Sequence, residues 1–220
     1  MLSPDEALSL VDTIADTAAN APFPIGLDSA DLDAYHAADA CGPALYSLDT
    51  MALIGDTVMF AGDVFTEDGT KILDSRTEGL PAAANVDALS RNPANCQLVF
   101  STDILVQLSG ETFKPNDLIA REGSGSFSLF QAGDFDGNID ALHLLSPTRW
   151  LLSVSGHSDL GGTIAPGQAV IEQDVSGPAS TFVLSFLPSD LDTSWLTTNL
   201  DALWALPGLV VELIFEDGFE

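Results

Sequence analysis

The sequence predicts an all-β fold, a propeller-like array of four-stranded antiparallel blades, about four in number, preceded by a short helical or irregular segment. Three observations predict it. A marker segment recurs four times, as Asp31-Leu32-Asp33-Ala34-Tyr35, Asn85-Val86-Asp87-Ala88-Leu89, Asn138-Ile139-Asp140-Ala141-Leu142 and Asn199-Leu200-Asp201-Ala202-Leu203, its central aspartates 54, 53 and 61 residues apart. A period of this size is the mark of a repeat architecture. A second apolar segment follows each of the first three markers, with Ser47, Ser101 and Ser153 at the same place, 54 and 52 residues apart, so whole units recur in register. Between such segments lie connections rich in Gly and Asp, the punctuation of antiparallel strands.

Residues 1–30 differ from the rest. Ser3 or Asp5 can cap a helix, and Ala7, Leu8, Val11, Ile14 and Ala15 share one helical face; Ala7–Val11 also reads as a strand. Pro22 and Pro24 then break regular structure. This segment either stands apart or completes the last blade.

Residues 31–215 form the repeat domain, with units 33–86, 87–139 and 140–200 and a partial unit 201–215, followed by a tail at 216–220. In each unit the marker begins the first strand and the serine segment is the second. A turn on Gly and Thr comes next, at Gly55-Asp56-Thr57, Gly110-Glu111-Thr112 and Gly162-Thr163-Ile164. A third strand is read at Asp63-Val64-Phe65, Asp117–Ala120 and Gln168–Ile171. A fourth is read at Ser126–Phe130 and Thr181–Phe186, and more weakly at Thr70–Leu73. Gly123-Ser124-Gly125-Ser126 reads as the hairpin turn between third and fourth strands. Leu200–Trp204 and Leu209–Phe215 supply two last strands, which together with the N-terminal segment could finish a fourth blade and leave no open edge.

The chain has 33 acidic and 6 basic residues, a net charge of −27, which repels nucleic acid and anionic membrane surfaces. Many aspartates sit beside Gly, Ser, Thr or Asn, where a short carboxylate bonds to nearby N–H groups, so much of the acidity is turn chemistry. With 46% hydrophobic residues the chain can build a core, and no run of about 18 apolar residues is present to span a membrane. Met1–Glu6 shows neither a basic nor an apolar leader region, as in a mature exported chain or a cytoplasmic protein of a salt-adapted organism. Cys41 and Cys96 lie 55 residues apart, at nearly equivalent places in neighbouring units. They read first as two small buried hydrophobes, a disulfide being open to them only near a narrow axis.

Asp134, Asp136, Asn138 and Asp140 alternate so that a tight loop could turn several oxygens onto one hard cation such as Ca²⁺. Asp140 belongs to the marker, so a turn or inter-blade hydrogen bond explains it as well. Asp134 and Asp136 are peculiar to one unit. His36 and His143 both stand three residues after a marker aspartate, where the other copies have Ser90 and Trp204, and could meet at a central channel. Trp195, in Asp192-Thr193-Ser194-Trp195, is the candidate for a ligand-binding surface, whereas Trp150 and Trp204 lie in apolar strands and read as core. Ser153, His157 and Asp159 are near in sequence, yet members of a catalytic triad meet through the fold rather than through local proximity. No Gly-x-Ser-x-Gly elbow, His-Glu-x-x-His motif or phosphate-binding loop occurs.

Leu98–Asp103, Asn116–Ile119, Ser126–Phe130 and Asn138–His143, in that order, resemble a repeat found in exported or surface proteins of bacteria, propeller-like and uncharacterised. The resemblance covers about residues 31–203, and the unit 33–86 departs from it in its fourth strand and its Pro-Ala-Ala-Ala stretch. The tail Leu213–Glu220 is similar to a short C-terminal tail of exported bacterial proteins. Gly133–Gly137 resembles the start of the calcium loops of FG-GAP propellers, although its Gly falls at loop position 4 and position 12 is Leu145. These resemblances imply a monomeric, extracellular or cell-surface binding or scaffold module for a protein or glycan, with no cofactor or with Ca²⁺. They bring no catalytic residues. The competing expectation is a hydrolase or lyase with its site at the channel mouth, built from His36, His143 and nearby aspartates.

Overall fold

The structure is a computed structural model that describes residues 32–54, 56–162, 164–167, 169–187, 199–206 and 210–216. The first unit contributes strands β1 (Leu32–His36), β2 (Leu45–Leu48), β3 (Ala52–Ile54), β4 (Thr57–Met59), β5 (Val64–Thr66) and β6 (Lys71–Leu73), and ends in a single helical turn, α1 (Ser75–Glu78). The second gives β7 (Ala88–Arg91), β8 (Leu98–Ser101), β9 (Val106–Leu108), β10 (Glu111–Phe113), β11 (Leu118–Arg121) and β12 (Phe127–Gln131). The third gives β13 (Ile139–Ser146), β14 (Arg149–Val154), β15 (Ser158–Asp159), β16 (Ile164–Ala165), β17 (Val170–Asp174) and β18 (Thr181–Phe186). The last described strands are β19 (Asn199–Leu206) and β20 (Val210–Glu216).

Each complete unit folds into one four-stranded antiparallel sheet, with the orders β1-β2-β5-β6, β7-β8-β11-β12 and β13-β14-β17-β18; β19 and β20 pair as a two-stranded sheet. Between the second and third strand of each sheet the chain leaves as a separate two-stranded hairpin, β3-β4, β9-β10 or β15-β16. The sequence reading placed only a Gly/Thr turn there. Strands of two or three residues are too short for apolar alternation to register, so the turn was legible and its flanks were not.

The hairpins still have a packing role. Val106, Leu108 and Phe113 are buried in the layer between the first two sheets, while Ile54 and Met59 cover the other face of the first sheet. Alternation along the strands sorts the layers. Phe100 packs toward the first sheet and its neighbour Val99 toward the third; likewise Leu45 and Tyr46 lie in different clusters. A sheet covered on both faces reads as a continuous apolar run, which is why Leu98-Val99-Phe100 shows no polar residue. Trp150 is fully buried in the layer between the second and third sheets, its indole N–H donating to Gln173 Oε1 at 2.9 Å.

The first strands assemble the units. β1 packs against β7, β7 against β13, β13 against β19, and β19 against β1. The recurring serines stitch these neighbours together. Buried Ser47 Oγ donates to Val86 O at 2.8 Å, and Ser101 Oγ to Ile139 O at 3.0 Å, each reaching the residue just before the next unit's marker aspartate. The pairing register slips at Asp33 in β1, Asp140 in β13 and Asp201 in β19, so the marker aspartate sits on a β-bulge in three units.

The aspartate that opens the third strand is a second repeated structural device. Asp63 accepts from Phe60 N and Ser75 N, and Asp117 from Lys114 N and Gly133 N, each tying the entry of the strand to the exit of the sheet. Gly133 must be glycine, because a Cβ there would run into the carbonyl of Asn116. The weak fourth strand of the first unit gives way to α1, capped by Asp74 and closed by Gly79 in the left-handed conformation at φ 90°.

Cys41 and Cys96 form a disulfide with Cα atoms 5.2 Å apart, correcting the reading of two buried free thiols. Cys41 is half-buried and Cys96 exposed. The loops that follow β1 and β7 come close enough because the first strands of the two units are themselves in contact. The N-terminal segment, residues 1–30, and its proposed share in a last blade lie outside the described residues. No described helix is long and apolar enough to cross a membrane.

Candidate functional site

The first strands of neighbouring units carry residues that meet where these strands pack. Position three after the marker aspartate brings His36, Ser90 and His143 onto adjoining strands, and all three are buried, at 1%, 0% and 8% exposure. The His36 and His143 rings stack with centroids 6.0 Å apart and planes 24° from parallel. His36 Nε2 lies 3.1 Å from Asp39 Oδ2, and His36 Nδ1 3.4 Å from Ser90 Oγ. With the Nε2 proton directed at Asp39, Nδ1 accepts from the serine hydroxyl. Ser90 Oγ accepts in turn from Leu144 N at 3.0 Å, so this hydroxyl couples β1, β7 and β13. Burial pushes the pKa of His36 below its ordinary value, against the opposing pull of Asp39.

Asp39 and Ser90 complete an Asp–His–Ser line that sequence reading missed. The signal was the shared marker offset of His36 and Ser90; nothing local in the sequence pointed to Asp39 as the partner. Chemically the line can orient and polarise the serine hydroxyl. Its serine and histidine are sealed from solvent in this structure.

The line continues outward. Asp39 Oδ1 is 3.8 Å from Nη1 of buried Arg91 and accepts from Cys41 N at 2.8 Å. Arg91 opens onto a groove of about 400 Å³, whose wall also carries the Cys41–Cys96 bridge, Asn95, Gln97, Arg121 and Glu122.

The Asp134–Asp140 loop is divided by its own core residue. Phe135 is buried edge-on against Phe182, with centroids 6.1 Å apart, and its carbonyl accepts from Asn116 Nδ2. Asp134 accepts from Ser180 Oγ on one side, while Asp136 is exposed. On the other side Asn138 Nδ2 donates to Asp87 Oδ2 and, at 3.3 Å, to Asp140 Oδ1, joining the marker aspartates of two units. The fold thus brings Asn138 and Asp140 together and holds Asp134 elsewhere. Among the described residues no three His, Cys, Asp or Glu side chains gather as a metal-binding group.

Trp195 lies outside the described residues. Ser153 is fully buried, whereas His157 and Asp159 are exposed, and Asp159 accepts from Gly162 N at 2.6 Å within its own turn. In comparisons with known proteins, no family model and no curated protein matches the chain.

Proposed function

We propose that the protein is an exported, propeller-like binding or scaffold module that acts without catalysis on a protein or glycan ligand. The observation that carries this reading is the wiring between units. The cystine, the Ser47–Val86 and Ser101–Ile139 hydrogen bonds and the His36–Ser90–Leu144 contacts tie successive repeats together, which makes a rigid platform for a ligand surface. The succession of first-strand contacts, returning from β19 to β1, supports the propeller-like arrangement. The cystine also supports export, since such bonds persist in oxidising compartments. Calcium is part of the proposal on the spacing of Asp134, Asp136, Asn138 and Asp140 alone; as folded, Asp134 and Asn138 face different partners.

A hydrolase is the second reading, favoured by the Ser90–His36–Asp39 line. The burial of Ser90 favours the module, because a nucleophile has to reach its substrate. One experiment separates the two: the chain is treated with a fluorophosphonate and assayed against an ester, peptide and glycoside panel, next to glycan and protein arrays. Array binding with Ser90 unlabelled supports the module. Labelling of Ser90, or turnover lost in Ser90→Ala, would overturn it in favour of the enzyme.

A further inference from the structure

The groove between the first two units holds a cation whose charge the fold barely compensates. Arg91 is 7% exposed, its Nη1 atom makes no hydrogen bond among the described residues, and its ion pair with Asp39, at 3.8 Å, is too long for one. Retaining a buried guanidinium with so little compensation is costly unless something else completes its shell. Burial holds its pKa below the usual guanidinium value while Asp39 acts in the other direction. The backbone is shaped around it: a Cβ at Gly42 would stand 2.7 Å from Nη1, so a residue without one is what admits that close approach.

The rest of the wall is specific in composition. Arg121 is already spent, forked onto Glu78 at 2.6 and 3.1 Å, and Glu122 accepts from Ser128 Oγ at 2.6 Å. Asn95 and Gln97 bring amides that still have N–H groups to donate, Asn95 Oδ1 accepting from Gln97 N at 3.2 Å and Asn95 Nδ2 lying 3.4 Å from Gln97 Oε1. The groove therefore offers one under-compensated cation, two amides suited to hydroxyl groups, and about 400 Å³ of space. That volume lies within the range of roughly 300–1,000 Å³ of small-molecule sites. Two of the chain's six basic residues line this one groove, in a protein of net charge −27. A polyanion would meet that charge over its whole length, whereas a single carboxylate meets the arginine first.

We infer that this groove binds a small hydroxylated monocarboxylate of hexuronic-acid type, its carboxylate directed to Arg91 and its hydroxyls to Asn95 and Gln97. The inference rests on the binding-module reading and names its ligand class. The test titrates D-glucuronate into the full-length protein while backbone amide shifts are followed by NMR, with D-glucose and acetate as separate probes. Glucuronate is expected to shift the amides around Asn95, Gln97 and Arg121 at least tenfold more tightly than either control. Asn95→Asp, which places a carboxylate at the exposed rim, is expected to weaken binding about tenfold without disturbing the fold. Arg91→Gln is expected to abolish binding; if that buried substitution unfolds the chain, Asn95→Asp still decides. Equal response to glucose, or no shift at the groove in a folded protein, overturns the inference. Ligands found elsewhere by the arrays would then leave the module reading standing, whereas Ser90-dependent turnover would remove that reading itself.

Discussion

The rings of His36 and His143 stack 6.0 Å apart between β1 and β13, and Asp39 holds His36 at its Nε2. Because burial lowers the His36 pKa, the unfolded chain takes up the proton first as the solution is acidified. The stability contributed by neutral His36 is therefore complete above the ordinary histidine range, about pH 6.5, and is lost as pH falls from there toward the lowered folded pKa. A second loss follows at lower pH from Asp63. Burial alone would raise its pKa, but the Lys71 ion pair and the donors of Phe60 and Ser75 hold it below the usual carboxylate value. Urea denaturation between pH 7 and 3 should show both steps, and His36→Gln should flatten the upper one. An unchanged upper step in that variant would mean that His36 is not its source.

Ser47→Ala and Ser101→Ala each leave a carbonyl, Val86 O or Ile139 O, without its hydroxyl donor at a buried inter-unit contact. Each should cost about 1–3 kcal/mol in chemical denaturation. The two sites bridge different pairs of units, so the losses should add to within roughly 0.5 kcal/mol.

Asp63 and Asp117 do the same backbone work, but only Asp63 also neutralises a lysine, Lys71 Nζ at 2.6 Å. Asp63→Asn should therefore cost about 3 kcal/mol, from the stranded cation as well as the lost acceptors, against about 1–2 kcal/mol for Asp117→Asn. Equal costs would show that the ion pair contributes nothing.

The Cys41–Cys96 bridge spans a sequence separation of 55 residues. On the chain-entropy account, opening such a loop should destabilise by roughly 4 kcal/mol. Thermal melts with and without reductant, and of Cys41→Ser with Cys96→Ser, measure it; non-reducing peptide mapping of protein exported to an oxidising compartment should recover the linked peptides.

Melts with calcium and with EDTA address the Asp134–Asp140 loop. If the loop takes calcium, the ion should raise the Tm of the wild type and leave Asp136→Ala unmoved. A shift in neither protein, or the same shift in both, removes the metal from this loop.

The repeat unit was legible in the order of residues alone. Alternation, turn residues and the fixed offsets of Asp33, Asp87, Asp140 and Asp201 reflect backbone geometry within about 50 residues, so the sheets and their first and second strands could be placed in advance. The serines at 47 and 101 were visible as a repeat, although their acceptors were not. What the units do to one another emerged from their packing. The cystine, the His36–His143 stack, the Asp39 and Ser90 partners of His36, the Asn138 bridge to Asp87 and the under-compensated Arg91 all join residues of different units or of a loop and a strand. Such distances follow from how the first strands pack and where bulges re-aim side chains, and neither periodicity nor composition encodes them.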